Sequence, residues 1–103
     1  MDIKELGFYY EPSLLILISL ADGEKHGYAM MEDIRSSFEI NMGPGTLYGA
    51  LARLEKAGMI EPLPAEDRRR PYRLTPDGWR VLRRQLQSAS KVIQIGQQRA
   101  VLT

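Results

Sequence analysis

Three closely spaced glycines, Gly43, Gly45 and Gly49, begin the segment GPGTLYGALARLEKAGMIE of residues 43–61. A glycine-rich loop ahead of a helix can hold the phosphates of a nucleotide, because backbone N–H groups approach the anion closely there. The dinucleotide fingerprint requires G-x-G-x-x-G between a buried strand and a helix, whereas the spacing here is G-x-G-x-x-x-G. The P-loop lysine is also absent. The segment therefore does not predict a nucleotide-binding loop.

Arginine side chains are concentrated in one short segment, where they could bind the phosphates of a nucleic acid. The cluster consists of Arg68, Arg69, Arg70 and Arg73. Phosphate contacts supply affinity that is independent of base sequence, because they release condensed counterions. Runs of arginine also occur on ordinary solvated loops, so the meaning of this one depends on what lies beside it.

Charge is unevenly distributed along the 103 residues. The net charge is +1, yet residues 1–40 carry −5 and residues 41–103 carry +6. A basic C-terminal part attracts polyanions, which supports a nucleic acid as the partner.

The residue types that most enzymes and metal sites require are scarce. The chain has no cysteine and one histidine, His26. Disulfides, zinc–thiolate sites and cysteine nucleophiles are excluded, and His26 cannot form a metal cluster alone. We therefore expect no catalytic activity, no cofactor and no metal. The longest apolar run, residues 14–20, is too short to span a bilayer, so we expect a cytoplasmic protein without membrane contact.

Apolar periodicity predicts four helices: residues 12–21, from His26 to about residue 41, residues 44–57, and from residue 76 to about residue 100. Residues 59–63 and 71–74 are predicted to form a short two-stranded ribbon, the wing, with Arg68, Arg69 and Arg70 at its tip and Arg73 beyond them. The expected fold class is mainly α with a small β-hairpin. We divide the chain into a winged helix-turn-helix domain over residues 1–75, including an N-terminal arm or helix, and a dimerisation helix over residues 76–103.

The third helix has two distinct faces. Its predicted core face comprises Leu47, Ala50, Leu51, Leu54 and Ala57. The opposite face holds small residues between polar ones, namely Tyr48, Gly49, Ala52 and Lys56, flanked by Thr46, Arg53 and Glu55. Such a surface can approach the floor of a DNA groove while its long side chains reach bases and phosphates. A plain exposed helix is the alternative, although its outer face would hold more Glu and Lys; the neighbouring arginine cluster favours DNA.

The last helix carries apolar residues at heptad spacing: Trp79, Leu82, Leu86, Ala89 and Ile93. Packing on its own domain accounts for only part of this stripe, so we predict a homodimer. The N-terminal aromatic residues Phe8 and Tyr9 are assigned to the same contact, with the lining of a ligand pocket as the alternative.

Three motifs occur in order: HGYAMMEDI at residues 26–34, PGTLYGALARLEKAGMIE at 44–61 and RRRPYRLTPDG at 68–78. Together they closely resemble the PadR family of bacterial transcriptional regulators over roughly residues 12–80. The resemblance implies a winged-helix dimer that binds a pseudo-palindromic operator in double-stranded DNA, commonly as a repressor. Some members of the family bind small aromatic effectors, so an effector is left open. Gly43 and Gly49 depart from the serine and proline common in the family.

The residue pattern and the resemblance together predict DNA contacts in three groups. They are His26 and Tyr28 at the start of the second helix; Pro44, Thr46, Tyr48, Gly49, Ala52, Arg53 and Lys56 on the third helix; and Arg68, Arg69, Arg70 and Tyr72 in the wing. The rival hypothesis is a winged-helix module that docks a protein and has only nonspecific affinity for DNA.

Overall fold

Four helices and a small antiparallel sheet make up residues 11–101, the part of the chain that the computed structural model describes. In chain order the elements are α1 (Pro12–Ala21), β1 (Lys25–His26), α2 (Gly27–Phe38), α3 (Pro44–Lys56), β2 (Ile60–Pro62), β3 (Pro71–Leu74) and α4 (Pro76–Ala100). The predicted fold class is confirmed. Phe8 and Tyr9 lie outside the described residues. Within residues 11–101, no helix is both long enough and apolar enough to cross a membrane.

The apolar helix α1 is the centre of the core. It contacts α2, α3, α4 and β3, and its buried residues include Leu15, Ile16 and Leu20. Because neighbours cover it on several sides, its sequence is apolar nearly all round instead of showing one stripe. Helices α2 and α3 add Met30, Ile34, Leu47, Ala50, Leu51 and Leu54 to the same core.

Both ends of α3 follow local signals in the sequence. Gly43 is the N-cap of α3 and Pro44 its first residue; Gly58, with φ of +76°, turns the chain away after the helix. One core prediction is wrong: Ala57 is exposed, because α3 ends at Lys56 and Ala57 is already the C-cap.

The sheet has three strands, not the predicted two. Its order is β1-β3-β2, with Lys25 opposite Tyr72 and His26 opposite Pro71. His26 therefore lies in a strand and caps α2 instead of starting its first turn. A two-residue strand has no periodicity to detect, which is why the sequence did not reveal it. Pro62 sits on β2, at an edge of the sheet, where proline is tolerated.

A hydrogen-bonded junction fixes the start of α4 against the end of α3. The Thr75 hydroxyl donates to the Gly58 carbonyl over 2.6 Å and accepts from the Gly78 N–H over 3.0 Å. The Thr75 N–H donates to the Met59 carbonyl over 3.1 Å. The first turn of α4 is thereby held against the chain segment that joins α3 to β2.

Leu82 was predicted to take part in the dimer contact, and its burial does not agree with this. It is only 2% exposed and belongs to the core of its own domain, so it is not available to a partner. From residue 90 onwards, every described residue of α4 is exposed. The helix thus completes the core with its first turns and extends beyond the core with the rest.

Candidate nucleic-acid interface

Members of all three predicted groups of DNA-contacting residues meet in a cleft of about 360 Å³, which we call the wing cleft. The lining residues are His26, Gly27 and Tyr28 from the start of α2, Tyr48 from α3, and Arg68, Arg69, Arg70 and Tyr72 from the wing. The pairing of β1 with β3 produces this convergence, because it places the base of the wing beside the residue that caps α2.

His26 and Arg69 lie side by side at one corner of the wing cleft. The Ala29 N–H donates to His26 Nδ1 over 3.3 Å, so in the neutral ring the proton is assigned to Nε2. Arg69 Nη1 lies 3.4 Å from that Nε2. Two adjacent donors cannot satisfy each other, whereas an oxygen of a phosphate can accept from both. This corner of the wing cleft therefore suits an anion.

Two tyrosines expose unusually large aromatic surfaces around the wing cleft. Tyr28 is 60% exposed and Tyr48 is 52% exposed. Tyr72 is partly buried, and this burial raises the pKa of its phenol, with the nearby Glu55 carboxylate acting in the same direction. Tyr72 therefore remains protonated at neutral pH and keeps a hydroxyl that can donate to an anion.

A two-residue turn closes the tip of the wing. The Glu66 and Arg69 backbones exchange two hydrogen bonds of 2.7 and 2.8 Å, and the intervening Asp67 and Arg68 have φ of +48° and +68°. Positive φ at both central positions is typical of a type I′ hairpin turn, in which Asn-Gly or Asp-Gly is preferred. Arginine in this conformation costs about 1 kcal/mol. Residues held in such conformations cluster at functional sites, which makes Arg68 a candidate for a functional contact.

Arg68→Gly is expected to raise the free energy of unfolding by about 1 kcal/mol, because glycine adopts positive φ without steric cost. The measurement is urea denaturation followed by circular dichroism. Arg69→Gly is the matched control: it removes the same charge one position later, where φ is not positive, and should not stabilise the domain. Equal shifts for the two variants would contradict the strain at Arg68.

The predicted residues of α3 lie along one accessible surface. Thr46, Tyr48, Ala52 and Lys56 are exposed, as is Pro44 at the first position of the helix. Gly49 is half-buried: a Cβ there would lie 3.6 Å from Arg53 Nη1, so the arginine extends across the glycine. Of these predicted α3 residues, Tyr48 lines the wing cleft and the others do not.

Two residues of the interface region differ from what the sequence suggested. Arg73 is engaged in an ion pair with Glu61 across the sheet, with 2.6 Å between Nε and Oε1, and does not line the wing cleft. Gly27 was not among the predicted contacts, although it lines the cleft against Tyr48. Its place in the HGY tripeptide, between two predicted contacts, was the available signal.

A separate apolar groove of about 380 Å³ lies between α1, the end of α2 and α4. It is lined by Leu14, Leu15, Ile18, Phe38, Leu86, Ala89, Ser90 and Ile93. Leu86 and Ile93 are 44% and 49% exposed. Trp79 lies outside this groove, and the Arg83 guanidinium stacks 5.6 Å from the centre of its ring. The groove thus unites three of the five α4 residues assigned to the dimer contact.

Metal ligands are not grouped anywhere in residues 11–101: no set of three His, Cys, Asp or Glu side chains could hold an ion.

Comparison with known proteins places the chain among transcriptional regulators. The sequence profile described as "Transcriptional regulator PadR-like family" matches residues 16–84. A protein of transposon TN4556 from Streptomyces fradiae, described as an uncharacterized 37.1 kDa protein, is 43% identical over 82 residues. Those residues are 80% of this chain and 24% of that protein, so the chain spans about a quarter of its relative's length.

Solved structures agree with the profile. A transcriptional regulator from Clostridium thermocellum is 31% identical with a TM-score of 0.74, over 81% of this chain and 86% of that one. A PadR family transcription regulator from Clostridium difficile, at 24% identity, shows the same fold with a TM-score of 0.79 over 86% of this chain and 97% of that one. The match covers most of the chain, including α2, α3 and the wing. The chain therefore belongs to the PadR-like family of transcriptional regulators, which are DNA-binding regulators and not enzymes.

Proposed function

We propose that this chain binds a pseudo-palindromic operator as a homodimer and acts as a repressor. The observation that carries the proposal is the wing cleft, where His26 and Arg69 lie beside Tyr48 of α3. An anion-binding corner next to the exposed face of a helix matches what a groove-reading domain requires. Phosphate contacts fix the register, and the helix reads base edges.

Helix α3 would enter the major groove with its exposed face towards the bases. Gly49 and Ala52 add little bulk to that face, so the helix axis can come close to the groove floor once Arg53, which lies across Gly49, turns towards the DNA. Thr46 and Tyr48 lie near its N-terminal end, the part of a recognition helix that contacts base edges. Arg53 would reach bases or backbone, and Lys56 and the wing arginines would bind phosphates.

The second proposal within this function is a twofold dimer formed through α4. Its support is the apolar groove between α1, α2 and α4, together with the exposed apolar residues Val92 and Ile93 on the extended part of the helix. A patch of this kind on a protein surface marks a site of protein contact. A twofold axis would present two α3 helices to inverted half-sites.

Repression follows if the operator overlaps a promoter, because the bound dimer then occupies the DNA that the polymerase needs. Residues 1–75 would supply DNA binding and residues 76–103 the dimer contact, with Leu82 as the point where the two parts share a core. The apolar groove could also hold a small-molecule effector, but we assign no residue to effector binding.

Selection from a random pool of duplex DNA at about 150 mM salt tests the function directly. We expect enrichment of an inverted repeat whose half-sites lie about one helical turn apart. A pool that yields no consensus, despite binding at low salt, would favour the protein-docking module instead.

Charged substitutions in the apolar groove test the dimer. Leu86→Asp combined with Ile93→Asp is expected to weaken dimerisation at least about 100-fold, since two carboxylates would be buried without partners. Gln87→Asp on the exposed side of the same helix is the control and should leave a dimer. Sedimentation at micromolar concentration measures both. A monomeric wild type at that concentration would refute the dimer.

A further inference from the structure

Gly27, the first residue of α2, is buried directly beneath Tyr48. A Cβ at this position would lie 2.7 Å from Tyr48 Oη, 3.0 Å from Tyr48 Cζ and 3.1 Å from Leu47 Cδ2. These distances are shorter than carbon atoms in contact normally allow. The space that glycine leaves open is therefore occupied by the tip of the tyrosine ring.

Backbone conformation does not explain why position 27 is a glycine. The positive φ values among the described glycines belong to Gly23 and Gly58, so an L-residue at 27 would meet no backbone strain. Gly78 is close to a backbone carbonyl, whereas the nearest neighbour of Gly27 is a side chain of the candidate interface. Alanine would also favour the helix itself. The close contacts of a Cβ at this position would be with Tyr48 and Leu47, and the shortest of them is with the Tyr48 hydroxyl.

The contact restricts a side chain that would otherwise be free on one side. Tyr48 is more than half exposed, and its ring lies over α2 on the side of the wing cleft. An exposed side chain that must be ordered on binding loses about 0.5–1.5 kcal/mol of affinity through rotamer entropy. A ring already seated on Gly27 avoids part of that loss. Its hydroxyl also keeps a defined position beside His26 and the wing arginines.

We propose that Gly27 is a positioning residue for Tyr48: it seats the ring so that the Tyr48 hydroxyl donates a hydrogen bond to a backbone phosphate of DNA bound in the wing cleft. This inference rests on the proposed function and adds to it a residue that acts through Tyr48. Gly27→Ala would push the ring tip off α2 towards solvent, where the ring is already more than half exposed, and the buried Leu47 would have to give way by a few tenths of an ångström.

The test is a double-mutant cycle between positions 27 and 48, measured as affinity for the selected operator. We expect Gly27→Ala to weaken binding roughly tenfold, as the loss of one hydrogen bond to a charged group does. Tyr48→Phe should weaken it by a similar factor. In the Tyr48→Ala background, Gly27→Ala should have less than about a twofold effect, because the ring it displaces is gone. Thermal unfolding of each variant controls for the fold.

Equal losses in both backgrounds, or an unchanged affinity for Gly27→Ala, would overturn the positioning role. A second readout needs no DNA: nuclear Overhauser contacts between the Tyr48 ring and the Gly27 Hα protons in the free protein. We expect them in the wild type, and their absence there would also overturn the inference. A wild type that shows these contacts but binds no duplex DNA would refute the proposed function and the phosphate target, leaving only the seating of the ring.

Discussion

Replacing Arg68, Arg69 and Arg70 together by alanine is expected to lower the affinity for duplex DNA at least about 100-fold at moderate salt. The three side chains line the wing cleft and are exposed, so the charges act on the partner and not on the core. Each phosphate contact adds about 0.9 to the slope of log affinity against log salt. The slope should therefore become shallower by about 2.7 units if all three arginines contact phosphates.

The matched control removes the same charge elsewhere on the chain. Arg84, Lys91 and Arg99 are exposed on α4 and do not line the wing cleft, so their combined change to alanine alters net charge equally. We expect a small effect on affinity and almost none on the slope. Affinity titrations across a salt series measure both quantities. Equal losses for the two triple variants would mean that DNA responds to net charge alone, and no loss for the wing variant would favour a protein partner.

Gly78→Ala is expected to lower the free energy of unfolding by about 3 kcal/mol or more. A Cβ at Gly78 would overlap the backbone carbonyl of Met59. That carbonyl cannot move aside easily, because it accepts the hydrogen bond from the Thr75 N–H. The first turn of α4 would have to separate from the segment after α3. Leu82, which lies in the core, would then become partly exposed.

Urea denaturation with Gly96→Ala as the control separates this steric effect from helix propensity. Gly96 lies in the same helix with nothing within 4 Å of its Cβ position, so alanine should stabilise the domain there by up to about 1 kcal/mol. Opposite signs for the two substitutions are the expected result. A stabilising Gly78→Ala would show that α4 does not pack against Met59 as described.

Local signals predicted the helices well. Proline after a capping residue marks the starts of α3 and α4, and glycine marks the end of α3, because each acts through its own backbone. The predictions from sequence were wrong or incomplete where a feature depends on tertiary contacts. Strand β1 exists because β3 lies beside it, and the periodicity of α4 could not tell whether its own domain or a partner covers Leu82.

The sequence predicted which residues belong to the candidate site, but it did not predict how they are arranged in space. The motifs predicted the three groups of DNA-contacting residues. That members of these groups converge in the wing cleft depends on the pairing of β1 with β3. The close approach of Gly27 to Tyr48 and the positive φ of Arg68 have no signature in spacing or composition. Both arise from how separate elements meet.

The third strand has a consequence for the thermodynamics of association. The wing is paired on both sides of β3, and its tip is closed by two backbone hydrogen bonds. Lys25 anchors β1 in turn, since its ammonium group donates to the carbonyl of Ser19 in the last turn of α1 and to that of Gly23 in the turn after it. Ordering a loose segment costs about 1–2 kcal/mol per residue in backbone entropy. In this protein that entropy is lost during folding, so a wing that binds DNA as proposed would do so as a preorganised surface, and electrostatic steering would govern its encounter rate more than loop closure.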